Sequence, residues 1–400
     1  MPAYSVGIAK WIDRLAITYL QNLCKEHAHF KVVLAPYGGG KTHFLMALGG
    51  KALSENYAVA YIPCGPGVSL DKPLDIYHEF VKRLQLPGQK YPGIQPLLAR
   101  IIEIKRRQIE EAQVPDPDFA FEQWFKVVSR QQHPENAFGR VIVEALRDEY
   151  RPDTATSGEA AFRWLQGDID TLTKEELASL RLAKVPLSAR AELGRNMLMS
   201  LIKFTQEAGA DGVVILFDEV ETLFSARGKA LLRVLSAMRI LVDMPTGIPG
   251  GLPLLGVFSA VPDILEQLSQ YPALEQRLAV LGSSFQEGND HASQLPLDKV
   301  ESQTRLLAEI GWRLVNVGTI ATGHDFDINK QSKNAEVLAR IAGDRNLEVN
   351  ARRLFVKTWV NILNYQIQKG EQLFSEEELS SRYQGLFEEL KNVEEADEEP

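Results

Sequence analysis

The sequence predicts an α/β fold: a parallel sheet core carrying a glycine-rich loop, a large helical insertion and a C-terminal helical lid. Three observations carry that expectation. A β-branched run, Lys31-Val-Val-Leu-Ala35, breaks into Pro-Tyr-Gly-Gly-Gly and then into helical periodicity from Lys41. A second apolar run, Gly212 to Phe217, ends in the adjacent acids Asp218 and Glu219. Between them the chain reads almost wholly helical, although strand, helix and strand recur around the first run in the order of a βαβ unit.

In chain order, residues 1–30 read as an amphipathic N-terminal helix, because Ile8, Trp11, Ile12, Leu15, Tyr19 and Leu23 fall at helical spacing. The strand Lys31–Ala35, a helix Lys41–Leu53 and the strand Tyr57–Ile62 complete the βαβ unit. From 71 to 205 the pattern is helical, broken at Pro87-Gly88, Pro115-Asp-Pro117, His133-Pro134, Arg151-Pro152 and Val185-Pro186. Thr173 with Glu176 reads as a capping box. Strand character returns at Gly212–Phe217 and Leu254–Phe258, and Gln294-Leu-Pro-Leu297 fits only an edge strand because of its proline. Helical patterning then runs to about Lys369. Lys41 and Asp218 lie 177 positions apart, more than two strands and a crossover require, which makes residues 85–205 an insertion in a core spanning 31–290. Residues 291–375 form the expected lid and 376–400 an acidic tail.

Composition narrows the class. In 400 residues, 45% hydrophobic and 24% charged side chains describe a globular chain with ample core. Cys24 and Cys64 make neither a disulfide framework nor zinc spacing, which points to a reducing, cytoplasmic setting. No signal-peptide pattern and no membrane-length apolar run is found. Of the net charge of −9, residues 388–400 supply −6, so the rest of the chain is nearly balanced. That excludes a small basic DNA-coating protein, but a local basic stripe would suffice for nucleic-acid contact.

Ala35-Pro36-Tyr37-Gly38-Gly39-Gly40-Lys41-Thr42 matches a Walker A loop with Ala in place of the first Gly. Glycines let main-chain N–H groups curl around phosphate oxygens, and the following helix offers its positive N-terminal dipole. Lys41 is expected on the β- and γ-phosphates of ATP and Thr42 on Mg2+, with His43 packing behind them. Asp218 and Glu219 then form a Walker B element, Asp218 holding Mg2+ and Glu219 polarising the attacking water. A capped strand end accounts for one acid but not for the pairing with the upstream loop.

Other features point less sharply. The insertion carries Arg100, Lys105, Arg106 and Arg107, then Arg181, Lys184, Arg190 and Arg195, which suit a phosphate backbone or a partner protein; nearby Glu103, Glu110 and Glu111 equally suit a solvated mixed-charge face. Phe119, Phe121, Trp124 and Phe125 read as core packing ahead of base stacking. The histidines are scattered, with His27 and His29 the one close pair, so Mg2+ bound with nucleotide is the sole metal expected. Two acids in Gly323-His-Asp-Phe-Asp327 are too few for a Ca2+ loop.

These residues together resemble the AAA+ and related STAND P-loop ATPases, especially the origin-recognition-like branch. More narrowly, Gly39–Leu45, Tyr61-Ile-Pro-Cys64, Lys72–Tyr77 and Tyr271–Leu278 resemble the BREX-type ATP-binding proteins of bacterial phage-defence islands. The resemblance implies a sensor serine at Ser259, where an ordinary strand-end serine is the alternative. It implies an arginine finger at Arg277, with a solvated helix arginine or salt bridge as the alternative, and a lid arginine at Arg352, with Arg353 as fallback. It further implies ATP-dependent self-association, other defence-system proteins as partners, DNA as a candidate partner and no membrane. The expected function is an ATP-hydrolysing subunit of a defence complex; the alternative is a STAND-like switch or scaffold with little hydrolysis.

Overall fold

The computed structural model describes residues 6–397 except 26, 66, 153–156, 226–227, 244, 246–247, 249–250, 270, 279–284, 286–287, 298–302 and 345–350; side chains from 390 onward also lie outside the description. Asn350, just ahead of the expected lid arginine, and the acidic side chains of the tail from Glu394 onward therefore lie outside it. The chain opens with α1 (Ala9–Leu15), a π-helical turn (Ala16–Leu20) and a 3-10 turn (Leu23–Lys25), then enters β1 (Ala28–Leu34). The helical opening thus stops earlier than its periodicity suggests. β1 gains residues at its start because Phe30 stacks on Phe258, ring centroids 5.9 Å apart, and packs flat over Gly256, where any Cβ would sit 2.4 Å from its ring.

After the glycine loop come α2 (Lys41–Ser54) and β2 (Tyr57–Pro63). Seven helices follow: α3 (Pro73–Arg83), α4 (Ile94–Glu111), α5 (Pro117–Ser129), α6 (Phe138–Tyr150), α7 (Gly158–Gln166), α8 (Lys174–Ser179) and α9 (Arg190–Phe204). The chain returns to the sheet at β3 (Gly212–Asp218), passes a 3-10 turn (Val220–Ser225) and α10 (Lys229–Asp243), and forms β4 (Leu254–Ala260). Two short helices, α11 (Ile264–Ser269) and α12 (Pro272–Leu278), precede β5 (Gln294–Pro296). The C-terminal part is helical: α13 (Gln303–Thr322), α14 (Ile328–Asp344), α15 (Ala351–Lys369) and α16 (Glu376–Asp397).

The α/β class read from the sequence is the observed one. The sheet runs β2-β3-β4-β1-β5. β2 and β3 pair in parallel from Tyr57 opposite Gly212 to Pro63 opposite Asp218, and β3 and β4 pair in parallel from Val213 opposite Leu254 to Phe217 opposite Phe258. Every residue of β3 and β4 is buried, the signature of central strands covered on both faces. β5, with its proline, lies at the edge as its composition demands.

Two compact units share the chain. One comprises Arg14–Val33 and Leu48–Leu295 and holds nearly all of the sheet with α3–α12. Among its helices, Phe121 and Phe125 are buried and Phe121 stacks on Tyr150 at 3.9 Å, so this aromatic group does pack as core, while Phe119 stays exposed. Thr173 and Glu176 form the expected capping box, Glu176 N–H donating to Thr173 Oγ1 at 3.2 Å and Thr173 N–H to Glu176 Oε2 at 2.8 Å. Of the basic cluster on α4, Arg100 and Arg107 both pair with Glu103, at 3.4 and 3.1 Å. Cys24 is buried and forms no disulfide, and burial pushes its thiol pKa well above the ordinary range.

The other unit comprises Met1–Asp13, Leu34–Ala47 and Pro296–Pro400. Its core is a helical cluster around Trp359, Phe355, Leu338, Leu314, Leu379 and Tyr383. Tyr383 and Leu379 belong to α16, so the acidic C-terminal segment is anchored by apolar residues as well as charged. A polar network threads this core. The Gln331 and Gln366 amides exchange hydrogen bonds at 3.0 and 2.8 Å, and Gln331 also donates to Glu371 Oε2 at 2.6 Å. Asn334 donates to the Gln372 carbonyl at 2.9 Å and accepts from Phe374 N–H at 3.0 Å. No described helix is long and apolar enough to cross a membrane.

Candidate nucleotide site

The glycine-rich loop links β1 to α2, and each of its glycines answers a geometric need. Gly38 and Gly40 adopt φ of 69° and 92°, in the left-handed region that favours glycine. Gly39 has no space for a side chain: a Cβ there would lie 2.7 Å from Ala35 Cβ and 2.8 Å from the Pro36 carbonyl. Gly39 N–H closes the turn onto that carbonyl at 2.9 Å, and Phe44 N–H to the Gly40 carbonyl, also 2.9 Å, starts the helix. The first turn of α2 therefore leaves main-chain N–H groups and a positive dipole end directed at the loop, an anion cradle.

Lys41 is 7% exposed; its ammonium donates to the Ala35 carbonyl at 3.2 Å and lies 4.9 Å from the centroid of the Tyr37 ring, which is itself exposed. Thr42 is exposed at the helix start, and His43 is half-buried, burial holding its pKa below the usual imidazole value. In the same unit, Arg352 on the first turn of α15 donates through Nη1 to the Gly39 carbonyl at 2.7 Å. Arg353 is exposed, so of the two arginines it is Arg352 that reaches the loop.

In the sheet-bearing unit, the end of β3 brings together Asp218, Glu219, Ser259 and Tyr61. The Asp218 carboxylate is 1% exposed. Its Oδ1 accepts from Ser259 Oγ and, at 3.0 Å, from Glu219 N–H; its Oδ2 accepts from Tyr61 O–H at 2.7 Å. Glu219 N–H also reaches Ser259 Oγ at 3.2 Å. Glu219 itself takes φ of 54°, an uncommon backbone state for a non-glycine residue, while its side chain stays exposed. The Glu219 carbonyl is gripped by Thr222, from Oγ1 at 2.8 Å and from N–H at 3.0 Å. Burial and the bond to Asp218 push the Tyr61 phenol pKa above its ordinary value. Cys64, whose N–H donates to the Asp218 carbonyl at 2.9 Å, has its thiol pushed up to about 12 by burial and by Asp218, Glu221 and Glu219.

Ser259 thus stands beside the acid pair, bonded to Asp218. Arg277 is directed elsewhere: its guanidinium pairs with Asp243 at the end of α10 and donates to the Ala273 carbonyl. Tyr61 is the residue that sequence reasoning passed over. A hydroxyl-bearing aromatic within the apolar β2 run was its one trace, and its role depends on parallel register with β3. Among the described residues no group of three or more His, Cys, Asp or Glu side chains could hold a metal on its own. Mg2+ requires no such cage, since it retains waters and takes phosphate oxygens with one or two protein ligands; a single carboxylate such as Asp218 fits that demand.

A family model described as "BREX system ATP-binding protein BrxC/D" matches residues 1–381. No curated protein matches the chain. Among solved structures, the ORC2 protein of Aeropyrum pernix, in ADPNP–ADP complexes, is similar with a TM-score of 0.49 and 10% identity over 96% of this chain and 71% of that one.

Proposed function

This chain belongs to the BREX system ATP-binding protein BrxC/D family, and from that premise we propose that it is an Mg2+-dependent ATPase working within a larger anti-phage assembly. The observation that carries the reading is the loop geometry: two left-handed glycines, a third with no space for Cβ, and a buried lysine at the opening of α2. In this reading the N–H groups from Gly38 to His43 cradle the phosphates, Lys41 balances the charge on the β- and γ-phosphates, and Thr42 and Asp218 hold Mg2+. Glu219 orients and polarises water. Ser259 links the acid pair to nucleotide state, and Arg352 couples α15 to the loop. Arg277 acts as a finger supplied to a neighbouring copy, so self-association is ATP-dependent. Other defence-system proteins and DNA are the proposed partners, and the cytoplasm the proposed location.

The pairing of Arg277 with Asp243 supports a second reading, a STAND-like switch that holds ATP and turns it over slowly until a partner frees the arginine. Calorimetry and steady-state phosphate release, each with and without DNA, test the two together. Lys41→Ala should weaken ATP binding about 10–100-fold, the range expected for loss of a charge-assisted contact. Wild-type affinity in folded Lys41→Ala protein would refute both readings; tight binding with negligible phosphate release favours the switch.

A further inference from the structure

We propose that Tyr61 is a positioning residue for the cation-binding carboxylate: its phenol orients Asp218, so Mg2+ affinity depends on a side chain outside both nucleotide motifs. The proposal rests on the reading of Asp218 as the Mg2+ acid.

The geometry begins with register. In the parallel pairing of β2 and β3, Tyr61 stands opposite Leu216 and Pro63 opposite Asp218. Proline has no N–H, and the next N–H, that of Cys64, is directed to the Asp218 main-chain carbonyl at 2.9 Å. What β2 offers the Asp218 side chain is the Tyr61 hydroxyl, reaching forward along the sheet to Oδ2 at 2.7 Å. A serine or threonine at this position would be too short for that reach, and phenylalanine would fill the space without a donor.

The chemistry of the contact fits a positioning role. Rotation of a carboxylate about its last torsion is soft. Ser259 Oγ and Glu219 N–H both meet Oδ1, and the Tyr61 bond to Oδ2 pins the other oxygen, which sets the plane of the group. That plane decides where the lone pairs point. A carboxylate as buried as Asp218 is costly without hydrogen-bond donors. Lysine or arginine in place of Tyr61 would supply them but would also neutralise the charge that attracts a cation. The neutral phenol orients the acid and leaves its charge available.

The test uses the full-length protein and ATP, with binding measured by calorimetry at graded Mg2+ and in EDTA. Tyr61→Phe keeps the ring and deletes the donor. The Mg2+ concentration at half-maximal tightening of ATP binding should rise about 10–100-fold, the range for loss of a partner of a metal ligand, while ATP affinity in EDTA stays within about twofold. In an Asp218→Asn background the same change should add almost nothing, since it acts through Asp218. An unmoved Mg2+ half-point, an equal loss in EDTA, or full additivity with Asp218→Asn would each overturn the proposal. Lys41→Ala and Asp218→Asn run alongside: if both bind ATP with wild-type Mg2+ dependence, the nucleotide-site reading itself fails. If they lose binding while Tyr61→Phe shifts nothing, only the role of Tyr61 falls.

Discussion

Arg352 Nη1 lies 2.7 Å from the Gly39 carbonyl oxygen, so the first turn of α15 is hydrogen-bonded to the middle of the phosphate loop 313 residues upstream. The bond covers a carbonyl at a place where the loop otherwise offers N–H groups, and it brings a cation to the edge of an anion cradle. Arg352→Ala should weaken ATP binding about tenfold, in line with one charge-assisted bond, and reduce the rise in melting temperature that saturating ATP produces. Arg353→Ala, at an exposed neighbour, should do neither. Equal behaviour of the two variants would leave Arg352 without a nucleotide role.

The left-handed backbone of Glu219 separates stability from chemistry. Glu219→Gln keeps shape and hydrogen bonding but lacks the carboxylate that accepts a proton from water, so ATP should bind while phosphate release falls about 100–10,000-fold. Glu219→Gly should remove hydrolysis too, yet raise unfolding stability by ~1 kcal/mol, since glycine adopts this φ without steric cost. Denaturant unfolding and phosphate release on the same samples check both halves.

The Arg277–Asp243 ion pair is about a third exposed on each side, loose enough to exchange partners. A finger acting on a neighbouring copy makes turnover concentration-dependent, and Arg277→Ala should lower kcat with ATP affinity nearly unchanged. Asp243→Asn should raise turnover at low protein concentration by releasing the guanidinium. Mixing Arg277→Ala with Glu219→Gln protein should restore part of the hydrolysis that each lacks alone. Concentration-independent turnover indifferent to Arg277→Ala and Asp243→Asn would make the pair a surface salt bridge.

In the C-terminal helical core, the Gln331 and Gln366 amides bond one another out of solvent. Gln331→Ala takes away the acceptor of the buried Gln366 Nε2 amide, while Gln366 Oε1 and Glu371 Oε2 keep the N–H groups of Gln372 and Asp327, and should cost about 1–3 kcal/mol through the desolvated amide left unpaired. Urea denaturation followed by tryptophan fluorescence, to which Trp359 in the same core contributes, would measure it.

His133 sets a pH dependence. Its ring lies 4.9 Å from Phe138 and 6.0 Å from Phe204, neither ring nitrogen has a hydrogen-bond partner among the described residues, and burial, with Lys203 nearby, lowers its pKa from 6.5 to about 4. Between those values the unfolded chain binds a proton that the folded chain refuses, so stability is complete above pH 6.5 and falls as pH drops toward 4. His133→Leu should flatten that part of the stability–pH curve. An unaltered slope would assign it to other groups.

How far the sequence reveals this molecule depends on the range of the interaction. The glycine-rich loop is legible as a tight turn because its demands are local: φ at Gly38 and Gly40 and contact at Gly39 are written in residue type. The Asp218–Glu219 pair is legible for the same reason, as an apolar run ending in acids. The start of β1 at Ala28 was not, because Phe30 is drawn into the sheet by Phe258 and Gly256, over 220 positions away. Tyr61 and the Arg277–Asp243 pair depend on strand register and helix placement that no local pattern encodes. Arg352 was singled out by its motif, but its contact with the Gly39 carbonyl is visible only in three dimensions.

The two cysteines have a practical consequence for anyone who wants to follow the response of this protein to nucleotide. Cys24 and Cys64 are both buried, and both thiols are held far above neutral pH by their surroundings, so almost no thiolate is present under physiological conditions. The native chain should be close to silent toward maleimide dyes. A pair of cysteines introduced at exposed positions, one beside Arg353 on α15 and one on α10, could then carry a donor and an acceptor fluorophore without removing the native thiols. Distance changes on adding ATP would be read against an unlabelled background.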